Sequence, residues 1–77
     1  MFVRQRRGFY ATADFRFVLE SYRGRHTVTW KLLERGALVA IKPGKLRTAT
    51  ARAPLWLRTD NAQGAVAWAK HVVGGGL

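Results

Sequence analysis

The sequence predicts an α+β domain: a three- or four-stranded antiparallel sheet with one C-terminal helix packed on one face. Three observations predict it. Apolar and polar residues alternate with period two through the middle of the chain. Glycine-containing turn signals separate these runs. Near the end, the apolar period lengthens to that of a helix.

Residues 1–10 read as a basic N-terminal arm, because Arg4, Arg6 and Arg7 crowd together just before Gly8. The arm leaves residues 11–73 as a single sheet-plus-helix domain and 74–77 as a Gly-rich tail. The first strand is expected from Thr12, with Phe15, Phe17 and Leu19 on one face and Arg16, Val18 and Glu20 on the other. Tyr22-Arg23-Gly24-Arg25 supplies a turn in which Gly can take a positive φ. In the second strand Val28, Trp30 and Leu32 alternate with Thr27, Thr29 and Lys31, a β-branched and aromatic composition suited to a sheet.

Glu34-Arg35-Gly36 is the next turn, and Ala37 to Ile41 is a short apolar third strand. Pro43-Gly44 is again a turn. Lys45 to Arg52 reads as a fourth strand or a basic loop, and Leu55 to Arg58 as extended chain. Asp60 or Asn61 can cap the helix that follows. Its stripe is Ala62, Ala65, Val66, Ala69, Val72 and Val73, with Trp68 half-exposed at the edge. Gly64 inside it costs about 1 kcal/mol relative to Ala. Gly74 is the natural left-handed cap. Trp30 and Trp56 are expected in the core.

Charge then bounds function. Fourteen Lys and Arg face four Asp and Glu in 77 residues, a formal net charge of +10. Such a field draws in phosphate backbones and other polyanions. The absence of Cys excludes disulfides, zinc-thiolate sites and thiol catalysis. No stretch approaches the about 18 to 20 apolar residues of a membrane span, and the expected setting is cytoplasmic. His26 and His71 are the acid/base candidates near neutrality. They share no metal-ligand spacing, and Asp14, Glu20, Glu34 and Asp60 form no motif. No Gly-rich loop opens a helix. The expectation is therefore a binding protein, not an enzyme, without cofactor or metal.

The candidate nucleic-acid contacts fall in three groups. Arg4, Arg6 and Arg7 belong to the arm. Arg16, Arg23, Arg25 and Lys31 belong to one sheet face and its turn, where arginine forks can meet guanine edges in a major groove. Lys42, Lys45 and Arg47 belong to the following loops, with Arg52 and Arg58 extending the same surface. These loop cations suit phosphate contacts that position rather than specify.

Three resemblances accompany this reading. Trp56-Leu57-Arg58-Thr59, followed by Ala62, Ala65, Ala67 and Ala69, resembles the end of the three-strand-plus-helix DNA-binding domains of plant ethylene-response factors and phage integrase arm-binding domains. In those domains a last strand with a Trp-Leu-Gly-Thr-like ending leads into an Ala-rich helix; here Arg58 replaces the Gly. The resemblance spans about 15 residues and implies DNA reading by the sheet, through Arg16, Lys31 and their neighbours. Phe15-Arg16-Phe17-Val18-Leu19 resembles a strand of the small YegP-like sheet-plus-helix domains. Gly24-Arg25-His26 resembles the Gly-Ser-His strand entry of HicA-type toxin ribonucleases, which implies a catalytic His26, but that family begins with a helix for which this sequence has no counterpart.

The expected function is a small nucleic-acid-binding accessory module of phage or mobile-element type, with DNA favoured over RNA. The alternative is a protein-interaction module or inhibitor that docks on an acidic protein. Its anchors would be Trp68, Tyr22 or a sheet edge, which could also pair two copies. An interface of that kind favours an aromatic patch with few cations, whereas a nucleic-acid surface keeps its cations contiguous.

Overall fold

A computed structural model describes residues 1–75; the last two residues of the expected tail lie outside the described range. The fold is a five-stranded antiparallel meander followed by two helical segments. The strands are β1 (Phe2–Arg6), β2 (Phe9–Thr12), β3 (Phe17–Arg23), β4 (Val28–Glu34) and β5 (Ala37–Ile41). Helix α1 spans Leu55–Arg58 and α2 spans Ala62–Val73. The α+β class and the C-terminal helix match the expectation, and the sheet has five strands instead of three or four.

The additional strand comes from the segment expected as an arm. Phe2 and Val3 pair with Thr12 and Ala11 across a hairpin whose turn contains Gly8 at φ +74°. Phe2 and Tyr10 pack against the core, while Phe9 and Ala11 alternate onto the opposite face. The chain then turns sharply through residues 13–16 before β3. Thr12 Oγ1 donates to Asp14 Oδ1 at 2.7 Å, and that same oxygen accepts from the Arg16 backbone N–H at 3.0 Å. Phe15, expected in the strand, instead sits in this turn at φ +55°, a conformation costing roughly 1 kcal/mol or more for a residue with a Cβ.

The later turns follow the sequence more closely. Tyr22 and Arg23 extend β3, so the β3–β4 turn falls two residues later than expected, with the Gly24 N–H donating to the Thr27 carbonyl. Arg35 and Gly36 both have positive φ, +51° and +83°, the geometry of a two-residue hairpin turn whose twist matches the flanking strands.

Lys45 to Arg52 is a loop with two tight turns, not a fourth strand. Its links to the rest of the fold include Lys45 N–H to Asp60 Oδ1 and Leu46 N–H to the Leu57 carbonyl, both at 2.9 Å, and no neighbouring strand offers it a ladder. Leu55 to Arg58 is helical where extended chain was expected. Pro54 presets the entry φ at −54°, its carbonyl accepts from Leu57 N–H, and Arg58 Nε donates to the Ala53 carbonyl. The Trp-Leu-Arg-Thr segment thus forms a helical turn and its exit here.

Strand register sorts the sheet into rows. Arg4, Tyr10, Leu19, Leu32 and Ala40 lie side by side on the face covered by α2, with Ser21 and Trp30, then Arg23 and Val28, further along. Ala65, Trp68, Ala69 and Val72 of α2 pack against Leu19, Trp30 and Leu32. Trp68 is 2% exposed, so it belongs to the core and not to the helix edge. The small residues around it let the helix approach closely enough to bury the indole. Asn61 caps α2, its side chain accepting from Gly64 N–H at 3.0 Å. Gly74 closes the helix at φ −75° through bonds from its N–H to the last turn, and the left-handed position falls one residue later, at Gly75 with φ +81°.

Gly64 has a packing reason to be glycine. A Cβ there would sit 2.8 Å from both the carbonyl oxygen and the methyl of Thr59. Gly64→Ala is therefore expected to destabilise the fold by about 1–3 kcal/mol despite the better helix propensity of Ala, as read from denaturant unfolding. A second expectation concerns acid. The Thr12 hydroxyl, then the Arg16 N–H, hold the Asp14 carboxyl below its usual range. A depressed folded pKa contributes stability above the unfolded value that disappears as pH falls through the folded one. The stability advantage over Asp14→Asn should shrink across that acidic window, measured as unfolding midpoint against pH.

Candidate nucleic-acid interface

Strand alternation places Arg4 and Arg23 on the helix-covered face, but at the end of the sheet where α2 begins. Arg7 reaches the same region from the β1–β2 turn. Together with Tyr10, Trp30 and Asn61 they line a cavity of about 730 Å³ between the sheet and the first turn of α2. Tyr10 and Trp30 form its aromatic side, ring centroids 6.2 Å apart and tilted by 53°. The amino end of a 12-residue helix contributes partial positive charge there, and its first turn carries no acidic residue. Arg4, Arg7 and Arg23 make no hydrogen bond or ion pair through their side chains among the described residues.

Asp60 is the carboxylate at this cavity, and it is engaged. Its Oδ1 accepts from the Lys45 backbone N–H at 2.9 Å and lies 3.4 Å from Lys42 Nζ. Its backbone carbonyl accepts from Trp30 Nε1 at 3.3 Å. A second cavity of about 560 Å³ shares Val28, Trp30 and Asp60 with the first and continues the surface toward His26 and Pro43-Gly44.

The other candidates scatter. Arg6 lies on the opposite, open face, its guanidinium 4.7 Å from the Phe9 ring centroid. Lys31 is on that face too, with Nζ 4.1 Å from the Tyr22 ring centroid and Glu20 as its register partner. Arg16 precedes β3 and is bound to Glu34, Nη2 to Oε2 at 2.8 Å. The expected shared surface of Arg16 and Lys31 therefore does not form, because the Thr12–Asp14 turn takes Arg16 out of the strand alternation. Lys42, expected as a loop contact, has a side chain only 2% exposed, turned inward to Asp60 and the Pro43 carbonyl. Arg25, Lys45 and Arg47 are exposed in loops.

Sequence reasoning did not single out Tyr10, Trp30 and Asn61 as the cavity's other walls. The available signal was the two-residue step from Phe2 to Arg4 and from Ser21 to Arg23, which puts these arginines on the core parity once β1 is recognised as a strand.

The open face is mainly apolar. Val3, Ala11, Val18, Leu33 and Leu38 form one row across all five strands. Arg6, Phe9, Glu20, Lys31 and Ile41 form the next, and Tyr22 stands beyond it, 45% exposed. His71 packs against Trp56 at 5.5 Å between ring centroids, and His26 is exposed in the β3–β4 turn. Among the described residues no three His, Cys, Asp or Glu side chains cluster as metal ligands, and no helix is long and apolar enough to cross a membrane.

The Lys42–Asp60 pair is asymmetric in burial, and this fixes an expectation. Asp60→Ala leaves a buried ammonium without its carboxylate and should cost about 2–3 kcal/mol, whereas Lys42→Met keeps the packing and should cost less than about 1.5 kcal/mol. Chemical denaturation of the two variants measures the difference. Comparison of the chain with family models, with curated proteins and with solved structures returns no match.

Proposed function

We propose that the protein is a nucleic-acid-binding module, with DNA as its expected target, that grips the phosphate backbone at the α2 end of the sheet. The observation that carries the reading is the convergence of Arg4, Arg7 and Arg23 on one cavity without any carboxylate partner among the described residues. Of fourteen Lys and Arg, only Arg16 and Lys42 stand within ion-pair distance of a carboxylate there. The remaining charge supports long-range attraction to a polyanion. Arginine forks match phosphate oxygens bidentately, and a helix amino end adds backbone donors. Arg25, Lys45 and Arg47 flank the grip as exposed phosphate contacts. Sequence preference is modest in this reading, because backbone contacts position without specifying. It assigns no catalytic step.

A second reading, docking on a protein, draws support from the open face. That face has the aromatic and apolar character, with few cations, expected of a protein interface, and Tyr22 is its exposed anchor. The buried Trp68 contributes nothing to it.

Titration of labelled duplex and single strands over a series of salt concentrations tests the first reading. Binding should weaken linearly in logarithmic terms with salt. Replacing Arg4, Arg7 and Arg23 together by Gln should lower the slope by about one per arginine lost. An Arg35→Gln/Arg52→Gln variant, altered away from the cavity, should retain most of the affinity. A flat salt response, or equal losses in the two variants, would overturn the assignment.

A further inference from the structure

The two edges of the sheet are unequal. β1 carries Arg4 and Arg6 in five residues and breaks its register with an irregularity between them. Charge and irregularity are the usual guards against strand addition. β5 has an irregularity of its own at Val39, where the register with β4 shifts, but neither charge nor proline: Ala37–Ile41 reads Ala-Leu-Val-Ala-Ile, and Leu38, Val39 and Ile41 are 56%, 44% and 51% exposed. The Lys42 N–H bonds to the Trp30 carbonyl, so Ile41, one step back in an antiparallel ladder, turns its own N–H and carbonyl away from β4.

We infer that β5 is an association edge and that its occupant is β5 of a second copy, paired antiparallel across a two-fold axis. Three features select a second copy over another protein. An uncharged apolar strand laid antiparallel on itself is self-complementary, as an isologous interface requires. In a chain of net charge +10, self-association has to avoid the cations, and of the two edge strands β5 is the one without any. The apolar row of the open face ends at Leu38, so pairing there joins the rows of both copies into one surface.

Sedimentation velocity over a range of concentrations, on protein freed of nucleic acid at moderate salt, should show a monomer–dimer equilibrium. Val39→Lys, at an exposed position, should abolish the dimer while leaving the thermal melt of the monomer in place. Val3→Lys, on the open face at the opposite edge, should leave dimerisation unchanged. Amide hydrogen exchange at Ile41 should slow as concentration rises. A wild-type monomer throughout, a dimer that survives Val39→Lys, or a dimer in which the Ile41 amide stays unprotected would each overturn the inference. The last outcome would assign association to face stacking.

Discussion

Asp60 joins the three parts of the molecule. Its backbone carbonyl takes the indole N–H of Trp30 from the centre of the sheet. Its carboxylate takes the buried ammonium of Lys42 at the exit of β5 and the backbone N–H of Lys45 in the loop. The residue after it caps α2. The start of a loop of some dozen residues with little regular structure is thereby tied to the residue before the α2 cap. With the packing of Ala65 and Trp68 on the sheet, this tie fixes the position of the helix amino end relative to Arg4 and Arg23. The arginine cavity is in that sense a by-product of how the core is closed. Its desolvated lysine is balanced by a half-exposed acid, so the ion stays hydrated on one side while its partner is dry.

The charge of the chain divides into two surfaces of opposite character. One end of the helix-covered face gathers arginines that have no acid to satisfy them. The open face gathers aliphatic side chains, and its few ions are tempered by aromatic rings or by Glu20. The cations in ion pairs, Arg16 just before β3 and Lys42 just after β5, are those with Glu34 or Asp60 beside them, whereas Arg7, Arg25 and Arg35 lie in turns and have no such pair among the described residues. A high net charge therefore says little about which individual cations are free. Neighbouring carboxylates at a turn or at the end of a strand decide it.

Much of the fold was legible in the sequence because alternation is a strong signal where strands are half-buried. The Phe17–Leu19 and Trp30–Leu32 steps, the Arg35-Gly36 turn and the Asn61 cap all follow from residue type and spacing. β1 was hidden because three arginines in a short stretch look like a solvated arm, although Phe2 and Tyr10 supply the core-facing positions of the hairpin. α1 was hidden because four residues carry no period, and Pro54 with the Arg58–Ala53 bond decides its form. Trp68 lies beside Ala69 on the buried stripe, but a stripe of small residues gives no sign that the largest side chain will fill the space they leave. The arginine cavity was half legible: Arg4, Arg7 and Arg23 were identifiable as cations, but their meeting depends on strand register across a hairpin that the sequence disguises.

The meander has a kinetic meaning as well. Every strand pairs with its immediate neighbour in the chain, so no strand must wait for a distant segment to be inserted between two others. Loop closure is short at each step, and sheets built from local pairings form quickly for that reason. The seven matched pairs of β3 and β4 provide the longest continuous ladder and a natural starting hairpin, onto which β2 with β1 and β5 add outward from both sides. The helix comes last in this order, since Trp68 has no apolar seat until Leu19, Trp30 and Leu32 stand side by side. A growing sheet of this kind spends its early life with one face uncovered, and the speed of local pairing is what shortens that interval.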